Sequence, residues 1–105
     1  VVGGYKVFSV EVEDKLAALD SIAASAVVGA PDTARPGNDV VHLFVQPADP
    51  DADPEIMKRD ILAFCRANMA PYKVPRDIHL IAAIPLTPVG KIDKKLLRAR
   101  LTGQG

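Results

Sequence analysis

The chain has one cysteine, no tryptophan, two tyrosines and three phenylalanines in 105 residues. The solitary Cys65 excludes an internal disulfide and any cysteine-rich zinc module. Thirteen basic side chains balance thirteen acidic ones, so there is no electrostatic footprint for nucleic acid and no polybasic membrane anchor. No apolar run approaches the ~18 residues of a membrane span. Internal repeats and low-complexity blocks are lacking too, as are an initiator methionine and a signal peptide. The opening directly in an apolar segment is expected of a piece of something longer. What the chain does have is 49% apolar residues, enough for one core of Val, Leu and Ile. At this length roughly two-thirds of the unfolded surface can be buried, so a domain without disulfides is feasible.

Val1-Val2, Gly3-Gly4 and Tyr5-Lys6-Val7-Phe8 read as strand, glycine turn and strand, an N-terminal β-hairpin. Ser9 is placed to cap a following helix, with Glu11 and Glu13 near its positive end, Val10, Leu16 and Leu19 on its apolar side and Val12 beside them. Ala23–Ala30 is a small-residue buried strand, and Pro36-Gly37-Asn38 a turn cluster. Val40–Gln46 is apolar on both alternating faces, which predicts an interior strand. Asp49, Asp51 and Asp53 lie in a solvated loop, Asp53 serving as N-cap ahead of Pro54. Met57, Ile61, Phe64, Cys65 and Met69 fall at helical spacing up to Pro71. Ile78–Ile84 predicts another strand, and Asp93 caps a basic helix from Lys94 to about Leu101. The whole is α+β: a small mixed sheet with the N-terminal β-hairpin and about three packed helices.

The chemistry-bearing candidates are few. Pro85-Leu86-Thr87-Pro88-Val89-Gly90-Lys91 cannot be regular structure. Its glycine lets the backbone approach a ligand, and its lysine can reach anionic oxygen as a mobile point charge. It is not a nucleotide P-loop, which needs glycine where Pro85 stands and Ser or Thr where Ile92 stands. Spacing alone leaves Lys91 either a surface lysine or an anion contact. Likewise Gly3-Gly4 is either a hairpin turn or one lying flat against a narrow ligand such as a pantetheine arm. His42 and His79 read as packed or surface side chains, Cys65 as a core thiol and the aspartates as a loop without the EF-hand pattern, so no metal site is expected. Lys94, Lys95, Arg98 and Arg100 form a solvated face or a phosphate neighbour.

In order along the chain, these segments resemble one family. Gly3-Gly4-Tyr5-Lys6-Val7-Phe8-Ser9-Val10-Glu11-Val12-Glu13 resembles the eighth core motif of the adenylate-forming superfamily, which includes acyl-CoA synthetases, peptide-synthetase adenylation domains and luciferases. Ala26-Val27-Val28-Gly29-Ala30-Pro31-Asp32 and Ala70-Pro71-Tyr72-Lys73-Val74-Pro75-Arg76 match later landmarks of its small C-terminal domain. Ile84-Pro85-Leu86-Thr87-Pro88-Val89-Gly90-Lys91-Ile92-Asp93 resembles the tenth core motif, and Lys94-Lys95-Leu96-Leu97-Arg98 its trailing helix. The run around Tyr5-Lys6-Val7-Phe8-Ser9, with Arg35-Pro36-Gly37, is closest to bacterial fatty-acyl and related acyl-CoA ligases. Val89–Lys95 is also similar to aryl-acid adenylating enzymes that load carrier proteins. Arg35-Pro36-Gly37-Asn38-Asp39 departs from the commoner Gly-Glu ending of its loop, and Ser21-Ile22 from the usual His-Pro-Ala-Val.

The resemblance implies that residues 1–105 are the mobile C-terminal lid domain of an AMP-forming acyl-CoA synthetase, a cytoplasmic acid–thiol ligase. A large N-terminal domain, with the hinge that precedes the glycine motif, is implied as partner, holding the carboxylic acid, ATP and Mg²⁺. Lys91 is implied as the adenylation lysine, with Gly90 in the loop that contacts the adenylate. After a large lid rotation, Gly3, Gly4, Tyr5 and Lys6 are implied to line the tunnel for coenzyme A. The isolated piece is expected to be inactive. The alternatives are the lid of an aryl-acid enzyme serving a carrier protein, a non-catalytic phosphate-binding module, and a structural domain without a ligand.

Overall fold

A computed structural model describes residues 5–31 and 39–101, with the backbone alone for residues 5–8, 31, 39 and 72. Its elements are α1 (Tyr5–Leu16), β1 (Ile22–Pro31), β2 (Asp39–Pro47), α2 (Pro54–Asn68), a 3₁₀ turn (Pro71–Lys73), β3 (Asp77–Leu80) and α3 (Lys94–Leu101). The three strands form one sheet in the order β1-β2-β3. β1 and β2 are antiparallel, whereas β2 and β3 are parallel and joined through α2. The α+β expectation of three helices on a small mixed sheet therefore holds.

Strand alternation divides the core in two. One face of the sheet presents Val27, Val41, Leu43, Val45, Ile78 and Leu80 to Val12 and Leu16 of α1 and Met57, Ile61 and Cys65 of α2. The other presents Ala26, Val28 and Phe44 to Ile84 and to Leu97 of α3. β2 is apolar on both sides because it is the middle strand of a sheet covered on both faces. Cys65 is fully buried on the apolar stripe of α2, and burial pushes its thiol up.

The N-terminal segment folds otherwise than expected. Tyr5–Phe8 is not the second strand of a hairpin but the first turn of α1, while Val1–Gly4 lie outside the described residues. Ser9 is consequently not a cap: it is buried within the helix, on the side of Val12 and Leu16. These three positions recur at i, i+3 and i+7, and core burial along that stripe overrides the strand propensity of the β-branched run. Val10, expected on the apolar side, projects outward. Glu11 and Glu13 sit in mid-helix rather than at its positive end.

The later elements follow the sequence more closely. Asp53 Oδ1 accepts from the Glu55 and Ile56 amides at 2.9 and 3.3 Å, capping α2. Asp93 Oδ1 accepts from the Leu96 amide at 3.1 Å and caps α3. β3 is shorter than the expected Ile78–Ile84. After Ile81 donates to the Val45 carbonyl the chain leaves the ladder, because Ile84 crosses to the α3 side, where its amide donates to Gln46 Oε1 at 2.9 Å. The Pro36-Gly37-Asn38 cluster lies outside the described residues.

Candidate functional site

The segment Pro85–Asp93 is a small closed loop. The Gly90 amide donates to the Thr87 carbonyl at 2.9 Å, forming a turn with Pro88 at its second position; proline presets the backbone there. Gly90 then takes φ +87°, the left-handed conformation that lets a short hairpin close in the right twist. Thr87 donates to the Lys91 carbonyl at 2.6 Å, and Asp93 donates to the Pro85 carbonyl at 2.9 Å. Leu86 and Ile92 pair as an antiparallel bridge. Thr87 Oγ1 also accepts from the Lys91 amide at 3.2 Å.

The backbone of Lys91 is thus held on both sides while its side chain is exposed. Among the described residues, its ammonium makes no hydrogen bond or ion pair. Leu86 and Val89, at 62% and 80% exposure, stand beside it. Such a loop holds one positive charge, on a flexible stem from a fixed base, at the surface. Thr87 was not singled out from the sequence, although Thr-Pro-x-Gly is a turn signature that could have marked it.

Of the other expected site residues, Tyr5 and Lys6 are in the first turn of α1, and Gly3 and Gly4 lie outside the described residues. The basic face of α3 is less solvated than expected. Lys94 pairs with Glu13 of α1 at 2.9 Å, and Arg98 Nε donates to the Gly29 carbonyl at 2.9 Å. Lys73 pairs with Glu11 at 2.9 Å, tying the Pro71–Lys73 turn to α1.

Sequence reasoning also missed a meeting of the two histidines. The parallel register sets His42 opposite Asp77 and Phe44 opposite His79. His42 Nδ1 and His79 Nε2 come within 3.0 Å, His79 stacks on Phe44, and Asp77 Oδ2 is 3.7 Å from His42 Nδ1. Burial lowers both imidazole pKa values; His79 adds to the lowering at His42, and Asp77 opposes it at both. Among the described residues no group of three or more His, Cys, Asp or Glu is arranged to hold a metal ion, and no helix is long and apolar enough to cross a membrane. A groove of about 330 Å³ lined by Pro47, Pro50, Pro54, Leu80 and Ile81 offers no titratable side chain. A second groove, of about 300 Å³, is lined by Glu55, Lys58, Arg59, Leu62, Arg76, Asp77 and Ile78; the exposed lysine loop is the candidate that the resemblance also marks.

Residues 11–91, from mid-α1 to Lys91 itself, match the model of the AMP-binding enzyme C-terminal domain family. The chain belongs to that family. It is 36% identical over 91% of its length to the 3-[(3aS,4S,7aS)-7a-methyl-1,5-dioxo-octahydro-1H-inden-4-yl]propanoyl:CoA ligase of Rhodococcus jostii (strain RHA1), covering 18% of that protein. Against the acetyl-coenzyme A synthetase of Methanothrix soehngenii it is 34% identical over 97% of its length, covering 15% of the relative. Crystal structures of a benzoate CoA ligase from Burkholderia xenovorans LB400 superpose on 86% of the chain with a TM-score of 0.76 and 36% identity, covering 18% of that chain. This AMP-binding C-terminal domain therefore spans less than a fifth of the length of each of these relatives.

Proposed function

We propose that the chain is the lid domain of an AMP-forming acyl-CoA synthetase and works against a large domain that binds ATP and the carboxylic acid. One observation carries the reading. In a chain of this family, an exposed lysine follows a left-handed glycine on a hydrogen-bonded loop, at the end of the matched segment. In adenylation a carboxylate oxygen attacks the α-phosphorus of ATP, the new P–O bond forms and the bond to pyrophosphate breaks. Negative charge crowds at phosphorus, and the Lys91 ammonium offsets it without transferring a proton. Gly90 and Thr87 fix the loop from which it reaches, and Leu86 and Val89 give the loop an apolar surface to seat against the large domain.

In the second step the lid rotates, Lys91 withdraws, and the segment Gly3-Gly4-Tyr5-Lys6 lines the approach of the coenzyme A thiol. Sulfur attacks the acyl carbon and AMP leaves. Mg²⁺ is assigned to the large domain together with ATP; among the described residues of this chain no group of three or more His, Cys, Asp or Glu is arranged to hold a metal ion. The relatives named above carry a bicyclic indenyl-propanoyl group, an acetyl group and benzoate in their names. Such a spread over one lid design supports acid selection outside this domain. We place the enzyme in the cytoplasm.

The test is acid-dependent release of pyrophosphate from ATP by the full-length protein carrying this chain, assayed with a panel of aliphatic and aromatic carboxylic acids, followed by thioester formation on adding coenzyme A. Both signals are expected with at least one acid. Thioester formation without AMP production would overturn the reading, as would pyrophosphate release that ignores the acid.

A further inference from the structure

Two backbone groups of β1 take side-chain partners in place of strand partners. The Val27 amide donates to Glu13 Oε2 of α1 at 2.8 Å, and the Gly29 carbonyl accepts from Arg98 of α3 at 2.9 Å. β1 is an edge strand, and α1 and α3 thereby satisfy groups that such an edge leaves open. The same Glu13 oxygen also meets Lys94 Nζ at 2.9 Å. Glu13 is largely buried, at 19% side-chain exposure, and Lys94 only partly so, at 33%. One carboxylate therefore joins three elements: the helix that begins at Tyr5, the edge of the sheet, and the first residue of α3.

The position of Lys94 makes this junction more than a staple. Its neighbour Asp93 closes the lysine loop through the Pro85 carbonyl and caps α3 through Leu96, and Lys91 lies three residues upstream. A shift of Lys94 is passed directly to the base of the loop, since a hydrogen-bonded hairpin and a capped helix turn leave little slack between them. A group whose charge must meet a reacting centre loses much of its effect when misplaced by as little as an ångström.

We propose that Glu13 is a positioning residue: by sharing its carboxylate between the Val27 amide and Lys94, it fixes the Lys91 loop relative to α1. The catalytic consequence rests on the function proposed above; the ordering of the loop does not.

The experiment therefore has two readouts. The first is amide hydrogen exchange in the full chain at Thr87 and Gly90, whose bonds report loop order. Lys94→Met keeps the stem of a partly exposed side chain and removes its charge, so the fold is retained, and exchange at both amides is expected to accelerate about tenfold. Lys94→Arg is expected to keep the protection. Unchanged exchange in the Met variant would overturn the proposal, whatever the enzyme does.

The second readout is the adenylation half-reaction of the full-length protein. Glu13→Gln keeps an acceptor for the Val27 amide but loses the ion pair. It is expected to lower kcat about tenfold while KM for ATP and acid stays within about twofold. A merely structural carboxylate would lower the melting temperature and leave kcat of the folded enzyme alone; that result also overturns the proposal. If Lys91→Ala left adenylation intact, the function reading would fall, while the exchange result would still judge the positioning of the loop.

Discussion

At the scale of single residues, charge and hydration do most of the deciding. Lys91 stays in water on a tethered loop, whereas His42 and His79 are drawn out of water and against each other. Contact between two ring nitrogens needs one donor and one acceptor, so two imidazolium rings cannot both be accommodated. Both pKa values are held down, by burial first. Their contribution to stability is then complete above the ordinary histidine value of about 6.5 and is lost as the pH falls below it, because the unfolded chain binds more protons in that window. Arg76 and Lys58 push in the same direction and Asp77 opposes. The urea midpoint is expected to drop as the pH falls below about 6.5, and His79→Leu to flatten that drop; a midpoint indifferent to pH in the parent chain would contradict the pairing. At Gly90 a Cβ would meet nothing within 4 Å, so Gly90→Ala carries only the cost of a left-handed backbone, about 1–2 kcal/mol. The expected outcome is a folded protein with slowed adenylation; full activity would show that the loop does not need this conformation. The irregular loop carrying Gly90 and Lys91 was legible in the sequence, because Pro85, Pro88 and Gly90 rule out regular structure, while a role for Lys91 was implied only by the resemblance. The histidine pair was not, because it depends on which strand lies beside β2, in which direction and in what register.

At the scale of elements, capped helix starts were readable and the uncapped one was not. Asp53-Pro54-Glu55 announces the start of α2 through local chemistry, and Asp53→Ala is expected to cost about 1 kcal/mol in chemical denaturation; an unchanged midpoint would mean that the two amides find water at no loss. Asp93 announces α3 in the same way. The start of α1 carries no such signal. Its Tyr-Lys-Val-Phe opening has the composition of a strand, and what makes it helical is the stripe of Ser9, Val12 and Leu16 meeting the sheet. Glu11 and Glu13 were misread for the same reason: once α1 begins at Tyr5 they no longer face its positive end, and they pair instead with Lys73 and Lys94. β3 ends early because Ile84 is recruited to the opposite face of the sheet, a tertiary demand that leaves no mark on the alternation of its own residues.

For the whole molecule, the three-stranded sheet sets a fixed frame: α1 and α2 line one face, α3 and the lysine loop the other, and β1 is clasped at its edge by Glu13 and Arg98. The double apolarity of Val40–Gln46 foretold a central strand, and so a covered sheet, while the parallel sense of β3 emerged only in three dimensions. A frame of this kind suits a domain that moves as a body and offers different surfaces in turn. The most direct measurement of that claim separates the half-reactions of the full-length protein in two variants. Lys91→Ala is expected to slow acyl-AMP formation by about 10²–10³ and to leave thioester formation from supplied acyl-AMP largely intact, whereas Gly4→Leu is expected to do the reverse by obstructing the thiol's path. Loss of the same half-reaction in both variants would contradict the account.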